Sequence, residues 1–153
     1  MTDLAGTIED GVHRLAIRVY YEDTDFSGAV YHANYLKFCE RGRSDCLRLL
    51  GIAHHEGAGM AGFVVRRMQC EFLQPATIDD LLSVETRFRE AKGARVELAQ
   101  RVRRGAALLF EASVTVALVD ARGRPKRLSG ALLAAMARMS EAAPKLAARQ
   151  RNE

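Results

Sequence analysis

The sequence predicts an α+β domain in which one long helix is wrapped by a curved antiparallel sheet of about five strands. Three observations predict it. The elements run strand, long helix, four strands, with no βαβ alternation after the helix, which argues against a doubly wound parallel sheet. The breaks between the last three strands are short enough for antiparallel hairpins. A glycine, Gly42, also sits inside the apolar stripe of the helix. There it costs about 1 kcal/mol relative to alanine, and close approach of another backbone, such as that of a wrapping sheet, accounts for it.

Each element has its own signal. Residues 14–21 alternate, with Leu15, Ile17, Val19 and Tyr21 on one face and Arg14, Ala16, Arg18 and Tyr20 on the other. The preceding segment, 1–13, reads as a flexible N-terminus. Residues 22–30 are a polar loop. Residues 31–50 read as a helix whose stripe is Tyr35, Cys39, Gly42, Cys46 and Leu49, with Leu50 beside it, closed by Gly51. A loop with Gly57, Gly59 and Gly62 follows, then strands at about 63–74, 81–90, 94–103 and 107–119. The second of these sets Leu82, Val84, Thr86 and Phe88 against Ser83, Glu85 and Arg87. Lys92-Gly93 and Arg104-Gly105 mark the hairpin turns. Ser129 caps a short Ala-rich helix through Met139, and the charged tail 140–153 frays.

Composition bounds the function. A chain of 153 residues is one ordinary domain that buries roughly 70% of its unfolded surface and needs neither disulfide nor metal for stability. A hydrophobic share of 48% with 27% charged residues is that of a soluble globular protein, and no apolar run approaches a membrane span. Met1 to Asp10 is acidic and lacks the basic-then-apolar pattern of a secretory signal. The three cysteines are an odd number, and Cys39 and Cys46 lie on one helix, as suits buried free thiols in a reducing cytoplasm. The net charge of +4 is mild, and the arginines are spread along strands. That favours an anionic small molecule at least as well as nucleic acid, and no strand interleaves aromatic and basic residues as a nucleic-acid platform would.

The polar loop carries the chemistry. Residues 22–32 bring Glu22, Asp23, Asp25, Gly28 and His32 together between a strand and a helix start, a grouping that is costly for folding and useful for catalysis. Asp23-Thr24-Asp25-Phe26-Ser27-Gly28 matches the first half of a calcium loop. The twelfth position of that loop, which requires a bidentate Glu, is Asn34, and the entering element is a strand, so calcium is set aside. Turn chemistry and helix capping suffice for Asp23 and Thr24 but serve less well for Asp25, several residues before the helix. His54-His55-Glu56 lacks metal-ligand spacing. No Gly-x-Ser-x-Gly elbow and no cysteine nucleophile motif is present.

The run Tyr21-x-Asp23-Thr24-Asp25-x-x-Gly28-x-Val30-Tyr31-His32-x-Asn34-Tyr35, followed by a long helix, resembles the signature of the 4-hydroxybenzoyl-CoA thioesterase family. Within that family it most resembles the bacterial branch associated with the Tol-Pal envelope system. The resemblance is strong from about Arg18 to Leu50. It continues more weakly through Arg66-Arg67-Met68-Gln69-Cys70-Glu71-Phe72 to about Val119, and is absent before Arg14 and after Leu128.

It implies a hotdog domain over 14–128, with a short helix and charged tail over 129–153, and hydrolysis of acyl-CoA thioesters without cofactor or metal. Asp25 is implied as the catalytic carboxylate, attacking the thioester carbonyl or activating water. The backbone N–H of His32 is implied as the oxyanion donor, with the imidazole in a secondary role. Gly28 supplies a positive φ or close substrate approach, and Tyr31 and Asn34 shape the pocket, whereas Tyr35 belongs to the core. Some relatives use a helix carboxylate, which makes Glu40 a competitor, although a solvated or ion-paired role with Arg41 or Arg43 suits it better. Arg87, Arg89, Lys92 and Arg95 flank a turn, and of these Lys92 and Arg95 are candidates for the CoA phosphates. The resemblance further implies a homodimer or homotetramer, in keeping with apolar residues on both faces of 107–119, and an envelope or peripheral membrane association. Two rivals share the fold: an acyl-carrier-protein thioesterase, and a non-catalytic acyl-thioester or envelope-protein binding module.

Overall fold

The computed structural model describes residues 4–52 and 62–142. The His54-His55-Glu56 cluster, Gly57, Gly59 and the tail beyond residue 142 lie outside the described residues. A six-stranded sheet and two helices make up the fold. The elements are β1 (Thr7–Glu9), β2 (Val12–Arg18), α1 (His32–Leu49), β3 (Gly62–Phe72), β4 (Leu81–Lys92), β5 (Arg95–Arg104), β6 (Ala107–Val119) and α2 (Gly130–Ala142), with a 3₁₀ turn at Tyr21–Asp23. The sheet order is β1-β2-β4-β5-β6-β3 and every pairing is antiparallel. This is the hotdog fold: α1 lies in the hollow of the sheet.

The N-terminal expectation needs correction. Residues 7–9, inside the segment read as flexible, form β1 and pair with β2, which starts at Val12 and not at residue 14. Asp10 and Gly11, both at positive φ, make the connection, the geometry of a type I′ hairpin turn, for which Asp-Gly is a favoured pair. His13 is fully buried and its Nε2 lies 2.7 Å from the Ala5 carbonyl, fixing the start of the chain. The first strand also ends earlier than residue 21. Tyr21 sits in the 3₁₀ turn and is exposed, so it does not extend the Leu15–Ile17–Val19 face.

The buried face of α1 comprises Asn34, Tyr35, Phe38, Cys39, Gly42 and Cys46. Phe38 is completely buried, whereas Leu49, read as part of the stripe, is exposed. A stripe about 100° wide admits neighbours of the four-and-three positions, which is how Phe38 enters it. Opposite lie Leu82, Val84, Thr86 and Phe88 of β4, all buried as the alternation predicts. Bulges in β3 near Arg66, in β4 near Arg89 and in the β5–β6 pair near Leu109 interrupt the register, and bulges of this kind bend strands around an enclosed helix. Helix α2 begins as expected: Ser129 Oγ accepts the N–H of Leu132 at 3.1 Å. Neither helix among the described residues is long and apolar enough to cross a membrane.

On the opposite face of the sheet the arginines pair with acids. Glu85, itself buried, accepts from Arg103 Nε at 2.7 Å and faces Arg14 Nε at 3.3 Å, and Arg101 Nε stands 3.6 Å from Glu111. Part of the basic charge spread along the strands is thereby held in cross-strand pairs, while Arg87 Nε is buried without a hydrogen-bond partner among the described residues.

Gly42 allows the helix to seat, and it does so against side chains where a backbone had been expected. A Cβ built there lies 3.0 Å from Val84 Cγ1, 3.1 Å from Thr86 Oγ1 and 3.2 Å from Gln100 Nε2. Gln100 cannot yield easily. Its amide N–H groups donate to the Cys39 carbonyl and to Thr86 Oγ1, and its carbonyl accepts from Arg43. We therefore expect Gly42→Ala to lose about 1–3 kcal/mol through overpacking, more than the roughly 1 kcal/mol gained in helix propensity. Denaturant unfolding checks this, and a more stable variant would refute the contact.

Candidate active site

The loop between β2 and α1 is held at several points by hydrogen bonds. Val19, just past β2, exchanges backbone bonds with 79–80: its N–H donates to the Asp80 carbonyl at 2.9 Å and its carbonyl accepts from Asp79 at 2.9 Å. The N–H of Val30 donates to the Ala76 carbonyl at 2.8 Å, and the N–H of Ala76 donates to the hydroxyl of buried Tyr35 at 3.1 Å. One residue of the 75–80 connection thus ties the end of the loop to the first turn of α1. Inside the loop the Asp25 N–H donates to the Ala29 carbonyl at 2.9 Å, and the Gly28 N–H donates to the Asp25 carbonyl at 3.1 Å. Gly28 has φ +82°, and a Cβ there would meet nothing within 4 Å. The loop therefore needs glycine for its left-handed backbone.

The two aspartates of the loop have opposite surroundings. Asp23 is buried and bonded to the N–H of Tyr20 and the side chain of Asn34. Asp25 is exposed. Its Oδ1 accepts both the hydroxyl and the N–H of Ser27, at 2.5 and 2.8 Å, while Oδ2 takes no hydrogen bond among the described residues. Those two bonds, the hydroxyl's first, hold the Asp25 carboxyl below the ordinary carboxylate range, and the nearby His32 adds a smaller pull in the same direction. At neutral pH Asp25 is an ionised carboxylate with one oxygen open to a substrate. Asn34, which stands where a calcium loop needs its Glu, instead donates its amide to Asp23 at 2.9 Å.

His32 opens α1. Tyr31 is the N-cap in extended conformation and supplies no side-chain cap, while its carbonyl accepts the Asn34 N–H at 2.8 Å. The N–H groups of His32 and Ala33 precede any intrahelical acceptor, so they and the positive end of the helix dipole can receive an anionic oxygen. The His32 ring is exposed, with the Tyr31 ring 4.4 Å away and the Phe72 ring edge-on at 6.3 Å. Phe72 continues inward to Tyr35 and Phe110, which stack 5.1 Å apart.

The sequence-predicted groups divide in space. Asp25, Gly28, Tyr31, His32 and Asn34 gather at one end of α1. Lys92 and Arg95 do not join them. Strand β4 leaves the loop end at Leu81 and reaches Lys92 after 12 residues, about 36 Å of extended chain. There the hairpin packs by the start of α2, where the Leu128 N–H donates to the Gly93 carbonyl at 2.8 Å. Glu40 lies further along α1 and accepts the Ser44 hydroxyl at 2.9 Å; its charge acts on Arg43, though among the described residues no ion pair within 4.0 Å joins it to Arg41 or Arg43. Burial pushes the thiols of Cys39 and Cys46 up to about 12, which leaves them inert as nucleophiles. Sequence reasoning passed over Ser27, although its position two residues after an aspartate is that of an Asx turn. Nothing local marks Ala76, Phe72 or Phe110 as neighbours of the loop.

An enclosed helix with an ionised carboxylate ahead of its uncapped N-terminus sets a candidate base or nucleophile beside donors for an oxyanion. The thioesterase superfamily model matches residues 27–110. The acyl-CoA thioesterase YbgC of Haemophilus influenzae is 46% identical over 107 residues, covering 68% of this chain and 78% of that protein. The acyl-CoA thioester hydrolase YbgC of Escherichia coli is 39% identical over 129 residues, covering 79% and 92%. A probable thioesterase from Bartonella henselae superposes with a TM-score of 0.73 at 44% identity, covering 77% of this chain and 98% of that one. The chain belongs to the thioesterase superfamily.

The Asp25 carboxyl is held low chiefly by the Ser27 hydroxyl, so Ser27→Ala should raise its titration towards the ordinary value without abolishing the shift, because the backbone N–H remains. Carbon-13 NMR of the Asp25 carboxyl measures this directly. An unchanged titration would show that the hydroxyl bond does not form in solution.

Proposed function

We propose that this protein hydrolyses acyl-CoA thioesters, with Asp25 as nucleophile or general base and the first turn of α1 as the oxyanion site. One observation carries the reading: Asp25 accepts both of its hydrogen bonds on Oδ1 and keeps Oδ2 open, in a loop that ends at an uncapped helix N-terminus. Relatives that carry the acyl-CoA thioesterase name support coenzyme A as the carrier. As nucleophile, Oδ2 adds to the thioester carbonyl and the oxygen of the tetrahedral adduct takes the N–H groups of His32 and Ala33. The C–S bond then breaks, CoA departs as its thiolate and is protonated, and water cleaves the acyl–aspartyl anhydride to acid and free carboxylate. As general base, the same oxygen removes a proton from water that attacks the carbonyl. The Tyr31 and Phe72 rings around His32 give the thioester an apolar wall.

The reading includes a homo-oligomer. β3 is a free edge of the sheet, 11 residues long, and exposes Val64, Val65 and Phe72. Such an edge invites pairing with another chain. The support lies there and not in β6, where Leu109, Ala117 and Leu118 are already buried within the chain. Lys92 and Arg95, at the far end of β4, are in position for a nucleotide bound beside Asp25 only if another copy supplies them. Light scattering at micromolar concentration should give a multiple of the chain mass, and a stable, active monomer would overturn this part.

Thiol release from a panel of acyl-CoA and acyl-carrier-protein substrates tests the activity. Asp25→Asn should lower kcat by about 10²–10⁴-fold in a folded protein. His32→Ala should cost less, since the N–H remains. His32→Pro removes that N–H at the first helical position, where proline is tolerated and the extended Tyr31 accommodates it, so it should cost at least as much as Asp25→Asn. Full activity in Asp25→Asn would discard the mechanism, and full activity in His32→Pro would discard the oxyanion assignment.

A further inference from the structure

Resting on the assignment of Asp25, we infer that Asp23 and Asn34 are a pair of positioning residues that fix the reacting loop against the start of α1. Asp23 is only 5% exposed and Asn34 only 7%, yet both are polar and neither is one of the apolar side chains of the core. All the bonds of Asp23 land on the borders of the site. Its Oδ2 accepts the Tyr20 N–H at 2.8 Å, where the chain enters the loop. Its carbonyl accepts the Tyr31 N–H at 2.9 Å, at the N-cap. Its Oδ1 accepts the Asn34 side-chain N–H at 2.9 Å, in the first turn of the helix. One residue thereby joins the entry of the loop, its exit and the helix that follows.

Asp25 is two residues beyond this junction and His32 one residue beyond Tyr31, so the separation between carboxylate and oxyanion donors is set here. A buried carboxylate is costly unless hydrogen bonds offset its desolvation, and here each oxygen of Asp23 accepts one. An ordinary turn could be made by an exposed Asp or Ser. A reacting pair must be held to well within an ångström, and rigid hydrogen-bonded support is what supplies that precision.

The pair can be exchanged. Asp23→Ala alone removes both side-chain bonds, which Asp23→Asn could keep by turning over the Asn34 amide. Asn34→Asp alone sets carboxylate against carboxylate. In the double variant Asp23→Asn/Asn34→Asp the introduced amide accepts from Tyr20 and donates to the introduced carboxylate, so both contacts return with donor and acceptor reversed. The test measures kcat and KM by thiol release well below each melting temperature. It also measures amide hydrogen exchange at Tyr20 and Tyr31 against Val84 in the core strand β4. Each single variant should lose about 10- to 100-fold in kcat with KM within about 2-fold, and the exchanged pair should return to within about 3-fold of the starting kcat. Exchange at Tyr20 and Tyr31 should quicken in the singles, stay unchanged at Val84, and slow again in the double variant. Single variants that melt earlier but keep kcat would make the pair merely structural and overturn the inference, as would a folded double variant that stays slow. If the unsubstituted protein cleaves no acyl thioester, the functional reading fails on its own. The exchange pattern then decides alone, and unchanged protection at Tyr20 and Tyr31 in the singles overturns the pair.

Discussion

The seating of α1 in the hollow of the sheet is the constraint on which the rest of the molecule depends. Two residues govern it. Gly42 sets the distance, because Val84, Thr86 and Gln100 stand where a side chain would be. Gln100 sets the register. Its amide is only 1% exposed and joins the Cys39 carbonyl on the helix to Thr86 on β4, with Arg43 completing its hydrogen bonds. A fully satisfied polar group inside an apolar contact penalises sliding, since any shift leaves a buried donor or acceptor unpaired. The N-terminus of the same helix carries His32, so the position of the candidate oxyanion donors is inherited from a contact ten residues further along.

Much of the fold was legible because its signals are local. The two-residue alternation of β4 and the bounds of β6 follow from side-chain order alone, and the long helix announces itself by its stripe. The misses have local and non-local causes. Asp10-Gly11 was a readable hairpin signal, but the residues around it are acidic and short of apolar pattern, so β1 was taken for a frayed end. Leu49 has the right spacing for the stripe yet sits at the last helical position and remains exposed. The bulges that curve the sheet have no sequence mark that separates them from ordinary strand positions.

The candidate site divides in the same way. Asp25, Gly28 and His32 are close in sequence, so their grouping before a helix start could be read from their order, while their roles come from the family resemblance. Their support could not. Ala76 lies more than forty residues from Val30 and Tyr35 in sequence, and is recognisable only once its N–H and carbonyl are seen bonded to them. Lys92 and Arg95 show the converse: a cluster of cations around a turn is plain in the sequence, but which end of the sheet the turn occupies is a tertiary quantity.

The loop solves a problem that apolar packing cannot. A carboxylate meant to react must be reachable and ionised, and burial works against both, since desolvation favours the neutral acid. Asp25, proposed for that role, is exposed, and its charge is secured by the short-range donors of Ser27 placed on one oxygen only. Exposure, however, removes hydrophobic burial as a means of holding the group still. The order must come from hydrogen bonds at the loop margins, where Val19, Asp23 and Val30 each tie the backbone to something fixed. This explains why two aspartates two positions apart differ so completely in burial: the inner one gives up access to provide rigidity, and the outer one keeps access because that rigidity is supplied from outside it.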